Sequence, residues 1–131
     1  MRQVFVPPRT ESMAESQIID PNALERLREW GGDKLVGQMV RLFLKNSGRR
    51  MDQIRTGAST GPISEAEQGA HSLKSSAANI GAERVRRLTS EIESAAVEGD
   101  GEAVARLLSD LEPAFAAVIV ELETIEKGMP A

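Results

Sequence analysis

Between Val104 and Ile125 the large apolar residues fall at Val104, Leu108, Leu111, Phe115, Val118, Leu122 and Ile125, at alternating spacings of four and three. Only a helix of 3.6 residues per turn gathers such positions on one face, because a strand would need a period of two. The same rhythm recurs three more times. It runs through Val36, Met39/Val40, Phe43, Ser47, Met51 and Ile54, through Ala66, Ala70, Leu73, Ala77 and Ile80, and through Val85, Leu88, Ile92 and Ala95/Ala96. Each of these helices has one apolar stripe and cannot bury it alone. Aromatic residues make up only 3% of the chain, and β-branched runs are short. The pattern predicts an all-α protein, an antiparallel four-helix bundle with a short additional N-terminal helix.

Punctuation between the stripes sets the boundaries. Residues 1–17 lack helical period, and Pro7-Pro8 favours extended chain, so they read as a flexible N-terminal tail or linker ahead of a bundle over residues 18–128. Asp20-Pro21 offers an N-cap followed by proline at the first helical position. A short helix through Leu24, Leu27 and Trp30 should stop at Gly31-Gly32, and Asp33 should cap the next helix, which runs to about Thr56. Trp30 and Phe43 read as core residues, and Met39 and Met51 as gap-fillers. Gly57 to Pro62 reads as a loop, and Ser64 with Glu67 as a capping box for the following helix, which Gly81 closes. The next helix spans about Ala82 to Val97. After the turn Glu98-Gly99-Asp100-Gly101, the last spans about Glu102 to Glu126, with Pro113 placed to kink it.

Charge and composition exclude several functions. The 131-residue chain carries a formal net charge of −4, against the basic balance of a general nucleic-acid binder. Arg49-Arg50 and Arg84, Arg86 and Arg87 stand among acids and read as solvated helix faces, although the latter group can steer an acidic partner. No cysteine is present and only one histidine, so no resident metal or other cofactor is expected. No apolar run approaches transmembrane length and no signal-peptide core is seen, so the expectation is a cytoplasmic protein without membrane contact, and a monomer.

The single histidine, His71, lies on the helix whose seam is Ala66 to Ile80. At about 100° per residue the seam centres roughly 140° from His71, so the imidazole points outward. Lys74 and Ser75 fall within roughly 60° of the same direction, and Ala78 extends the stripe with a small side chain. Glu67, Gln68 and Ser64 complete the stripe on the other side. A surface histidine is most often a solvated bystander. Here a cation one turn away and small neighbours suit an imidazole that takes up a phosphoryl group from a docked partner.

His71-Ser72-Leu73-Lys74-Ser75-Ser76, followed by Ile80-Gly81-Ala82, resembles the phosphoacceptor motif of the histidine-containing phosphotransfer (HPt) domain of bacterial two-component phosphorelays. Gly31-Gly32-Asp33, Phe43-Leu44 and Ile92-Glu93 are supporting matches, and the resemblance covers about residues 18 to 127. It implies that His71 is the phosphoacceptor and that Lys74 stabilises the phosphoryl group. Ser75 stands where many members carry glycine, its hydroxyl free to bond a carbonyl of its own helix or the imidazole. Glu93 stands where many carry glutamine. The implied partners are receiver domains of hybrid histidine kinases and response regulators, each bringing its own aspartate and Mg²⁺. The chain shows no nucleotide-binding loop or kinase signature, which fits a phosphocarrier that is not itself an enzyme. Gln68, Ser75, Ala78 and Leu24 are the expected docking residues around the site. Competing readings are a helical adaptor that docks receivers or another protein without transfer, the phosphotransfer module of a chemotaxis kinase, and a hydrolase using His71 as base. The last lacks an orienting acid or a cleft in the sequence reading.

Overall fold

The computed structural model describes residues 17–129, and these form four helices: α1 (Pro21–Ser59), α2 (Ile63–Ile80), α3 (Glu83–Val97) and α4 (Gly101–Lys127). The tail expected at residues 1–17 lies outside the described residues except for Gln17. Loops of two or three residues turn each helix back along the one before it. Contacts then run α1 to α2, α2 to α3, α3 to α4, and α4 back to α1, closing the bundle. No described helix is long and apolar enough to cross a membrane.

Asp20 caps α1 as its sequence suggests, accepting the Asn22 N–H at 3.0 Å with Pro21 in the first turn. Gly32 leaves the helical region at φ 69°, ψ −168°, so α1 consists of a short leading segment and a long one. Asp33 does not serve as the expected cap. Its carboxylate accepts from Arg28 Nε at 2.8 Å, and this ion pair ties the two segments across the break. The long segment continues through Gly57, which was expected to open a loop, and ends at Ser59, where Thr60 and Gly61 donate to the Thr56 carbonyl.

The expected capping box of Ser64 and Glu67 does not form. Pro62, extended at ψ 144°, starts α2 at Ile63, so Ser64 already lies inside the helix and no side chain caps it. Gly81 ends α2 in the left-handed conformation at φ 80°. A side chain there would strike Asp20 and Ala23, whose backbone packs on this turn, with Asp20 N–H donating to the Gly81 carbonyl at 2.8 Å. Asp100 caps α4, which runs through Pro113 as a single element.

The stripes meet in one core. Val36, Val40, Met51, Ile54, Leu73, Val85, Ile92, Val104, Leu111 and Leu122 are fully buried, and Phe43 meets Phe115 with ring centroids 6.3 Å apart. Two assignments differ. Trp30 is 76% exposed, not core: it shares a face with the buried Ala23 and Leu27 but sits at the Gly32 break, where little of the described chain covers it. Leu107 is buried in α4, while Leu108 and Phe115 only flank the core.

Helices α1 and α2 approach each other closely at two glycines. A Cβ added at Gly69 would stand 2.8 Å from the Arg50 carbonyl oxygen and 2.8 Å from Gln53 Cβ, and one at Gly57 would run into the Ala66 backbone. Two glycines therefore let these helices pack backbone to side chain, just below the turn that carries His71.

Candidate functional site

His71 stands on the outer face of α2 with its side chain 65% exposed, because Ala70, Leu73 and Ala77 commit the opposite face to the core. The neighbouring α3 buries Ile92 and thereby presents Glu93 at the α2–α3 boundary. Glu93 bridges two groups: Oε2 lies 2.7 Å from His71 Nδ1, and Oε1 accepts from Lys74 Nζ at 2.6 Å. Glu93 is the most enclosed of the three, at 21% exposure.

The hydrogen bond from Lys74 holds the Glu93 carboxyl below the usual carboxylate range. Partial burial opposes that effect, and the bond with His71 adds to it. Glu93 is therefore an ionised, acceptor-only group at neutral pH. Nδ1 must carry the hydrogen in this contact, which leaves Nε2 of a neutral ring with its lone pair free. The tautomer follows from the chemistry of the partner.

Lys74, implied by the resemblance to meet the phosphoryl group, is bonded to Glu93 in this state. Ser75 Oγ approaches the His71 carbonyl at 3.5 Å, so its hydroxyl leans back on its own helix and not on the imidazole. Gln68 lines a cleft of about 460 Å³ beside His71, together with Arg50, Gln53, Glu67, Ser72 and Glu93. Ala78 is exposed two turns further along. Leu24 is half-buried against the core, on the segment that packs near Gly81, about 15 Å along α2 from His71. It is not among the residues lining the cleft.

Sequence reasoning missed Arg50 and Gln53 at the site and left the effect of Glu93 open. The signal for Glu93 was its place directly after Ile92 in the α3 stripe. Arg50 follows from Gly69, whose missing side chain brings α1 against this part of α2.

A family model described as the Hpt domain matches residues 38–124, about two thirds of the chain, and spans His71, Lys74 and Glu93. The chain belongs to the Hpt domain family. Hpt domains are phosphocarriers of histidine phosphorelays, without an ATP-binding catalytic apparatus, and they interact with receiver domains. The fold is similar to the crystal structure of histidine-containing phosphotransfer protein B (HptB) from Pseudomonas aeruginosa PAO1. The TM-score is 0.80 at 22% identity, covering 88% of this chain and 99% of that one. No curated protein sequence matches the chain. The bridge from Glu93 fixes the orientation of the His71 ring and leaves Nε2 on its exposed side.

Proposed function

We propose that this Hpt domain carries phosphoryl groups between receiver domains on Nε2 of His71. The carrying observation is the 2.7 Å contact of Nδ1 with an ionised Glu93 beneath a ring that is otherwise open to solvent. The Nε2 lone pair attacks phosphorus of a receiver's aspartyl phosphate. The N–P bond forms as the P–O bond to the acyl oxygen breaks, and the aspartate leaves as a carboxylate. The ring gains positive charge as the bond forms, and the Glu93 carboxylate on Nδ1–H stabilises that charge. The reverse sequence hands the phosphoryl group to the aspartate of a second receiver. Mg²⁺ in this reading belongs to the receiver, at its own aspartate.

Lys74 stabilises the phosphoryl group once Glu93 shares it, since Lys74 stands one turn along α2 from His71 and already bonds Glu93 across from α3. Gln68, Ser75 and Ala78 form the docking surface around the ring, small or neutral side chains that let a partner close on it. Leu24 contributes at the edge of that surface.

The test is transfer of labelled phosphate from a panel of phosphorylated receivers to wild type and to His71→Gln. Acid-labile, alkali-stable label on wild type alone is the expected result. Receivers that bind wild type without any transfer would replace this reading with a docking-only adaptor. A panel that neither transfers nor binds would remove the relay assignment for this chain.

A further inference from the structure

We propose that Arg50, on α1, is a second cation that grips the phosphoryl group once His71 carries it. This rests on the reading of His71 as phosphoacceptor and goes beyond it, since the phosphoacceptor motif from His71 to Ala82 does not include Arg50.

Arg50 and His71 line the same cleft of about 460 Å³. The approach of the two helices at Gly69 fixes the base of Arg50, because its carbonyl lies where a Gly69 side chain would otherwise stand, two residues before His71. Its guanidinium is half-buried and oriented by a neutral acceptor, with Nη1 donating to Gln53 Oε1 at 3.1 Å. Gln53 lines the cleft as well.

Arg50 is the one lysine or arginine among the residues lining this cleft, and it bonds no anion among the described residues. Arg28, Arg55, Arg86 and Arg87 each bond a carboxylate at 2.7–2.9 Å, and Lys74 bonds Glu93. Arg50 makes no ion pair among the described residues. The acids lining its cleft are Glu67 and Glu93, and Glu93 is already taken by Lys74 and His71. One neutral acceptor leaves most of the five guanidinium donors for another ligand.

The geometry of the ring assigns that ligand. With Nδ1 turned to Glu93 on α3, Nε2 faces away from α3, and α1 flanks α2 on the other side. A phosphoryl group on Nε2 presents two or three oxygens on one face, which a planar guanidinium meets with paired N–H donors. Arg50 would therefore contact the phosphoryl oxygens directly. Lys74 must first loosen its bond to Glu93, whereas Arg50 has no such bond to break.

The experiment loads His71 chemically with phosphoramidate, so no receiver is needed: the Nε2–P bond forms and ammonia leaves. Phosphorus NMR then follows the second ionisation of the phosphohistidine and its rate of hydrolysis. A cation at hydrogen-bond distance favours the dianion, so Arg50→Gln should raise that ionisation by about half to one pH unit at this partly exposed site. Because the dianion hydrolyses more slowly than the monoanion, the lifetime at neutral pH should fall about threefold, in line with the same shift. Arg50→Lys should restore part of both effects. Arg49→Gln removes an exposed neighbouring charge that does not line the cleft, and should change neither. An Arg50→Gln protein that matches wild type, or that shifts no more than Arg49→Gln, overturns the assignment. If wild type takes up no more phosphate than His71→Gln does, the phosphoacceptor reading itself fails, and Arg50 falls with it.

Discussion

Alanine placed at Gly69 and at Gly48 should move stability in opposite directions, although both positions lie inside helices. Gly48 is exposed on α1 and an added Cβ meets nothing within 4 Å. The substitution there only removes backbone freedom from the unfolded chain, a gain of about 0.5–1 kcal/mol. Gly69 gains the same intrinsic amount, but its Cβ would lie 2.8 Å from the Arg50 carbonyl oxygen, 2.8 Å from Gln53 Cβ and 3.1 Å from Ile54 Cγ1. The first of these is backbone and cannot rotate away, so α1 and α2 must part by several tenths of an ångström. Overpacking of that kind costs about 1–3 kcal/mol. Set against a helix gain of about 1 kcal/mol, the net loss is about 1 kcal/mol. For a domain of this size Gly69→Ala should lower the melting temperature by about 3–6 °C, and Gly48→Ala should raise it by about 2–4 °C. Far-ultraviolet circular dichroism on both proteins decides the matter. A Gly69→Ala protein that melts with or above wild type would refute the close approach from which the placement of Arg50 is argued.

Other outcomes follow from the ion pairs and the exposed face. Arg55 bonds Glu112 through both carboxylate oxygens, at 2.7 and 2.8 Å, and holds that carboxyl below the usual range. A group depressed in the folded state contributes stability above its unfolded value of about 4.3 and loses it as pH falls through the folded value. The melting-temperature advantage of wild type over Glu112→Gln should therefore be full near neutrality and vanish in the acid range. A difference independent of pH would refute it. Ala78→Arg should leave helical content unchanged and abolish transfer from receivers, since a long cation would occupy the docking face; undiminished transfer would remove Ala78 from that surface. Glu93→Leu removes the acceptor for Nδ1–H, and nitrogen NMR of the His71 ring should show the hydrogen moving to Nε2. A ring that keeps its Nδ1 hydrogen in that variant would show that Glu93 does not set the tautomer.

Most of the bundle was legible because burial on a helix is periodic. Ala66, Ala70, Leu73, Ala77 and Ile80 were read as one seam and are at most 1% exposed, which fixed the outward direction of His71. Caps were less legible. Asp20 acts as its sequence suggests, but Asp100, read only as part of a turn, caps α4, Pro62 begins α2 without help from Ser64, and the Asp33 carboxylate prefers a guanidinium to its own backbone. Trp30 shows the limit of periodicity, which reports the face a residue occupies and not whether another helix reaches that far. Gly57 shows a second limit: glycine in a helix at a close crossing has the same letter as glycine in a turn. The cleft required tertiary information of this kind. Arg50 stands twenty-one residues before His71 in the chain, and only the crossing at Gly69 brings the two together.

The contact between Nδ1 and Glu93 also limits traffic. On the proposed function, with one ring nitrogen held by the protein, donor and acceptor would have to use the other in turn. Exchange would then proceed by alternating occupancy without a ternary complex. Initial rates measured against one receiver at several concentrations of the other should give parallel reciprocal plots, and an excess of either unphosphorylated receiver should inhibit the opposite half-reaction. The direction of flow would be decided by the abundance of the receivers and the lifetimes of their aspartyl phosphates, with the carrier itself indifferent to which end of the relay is upstream.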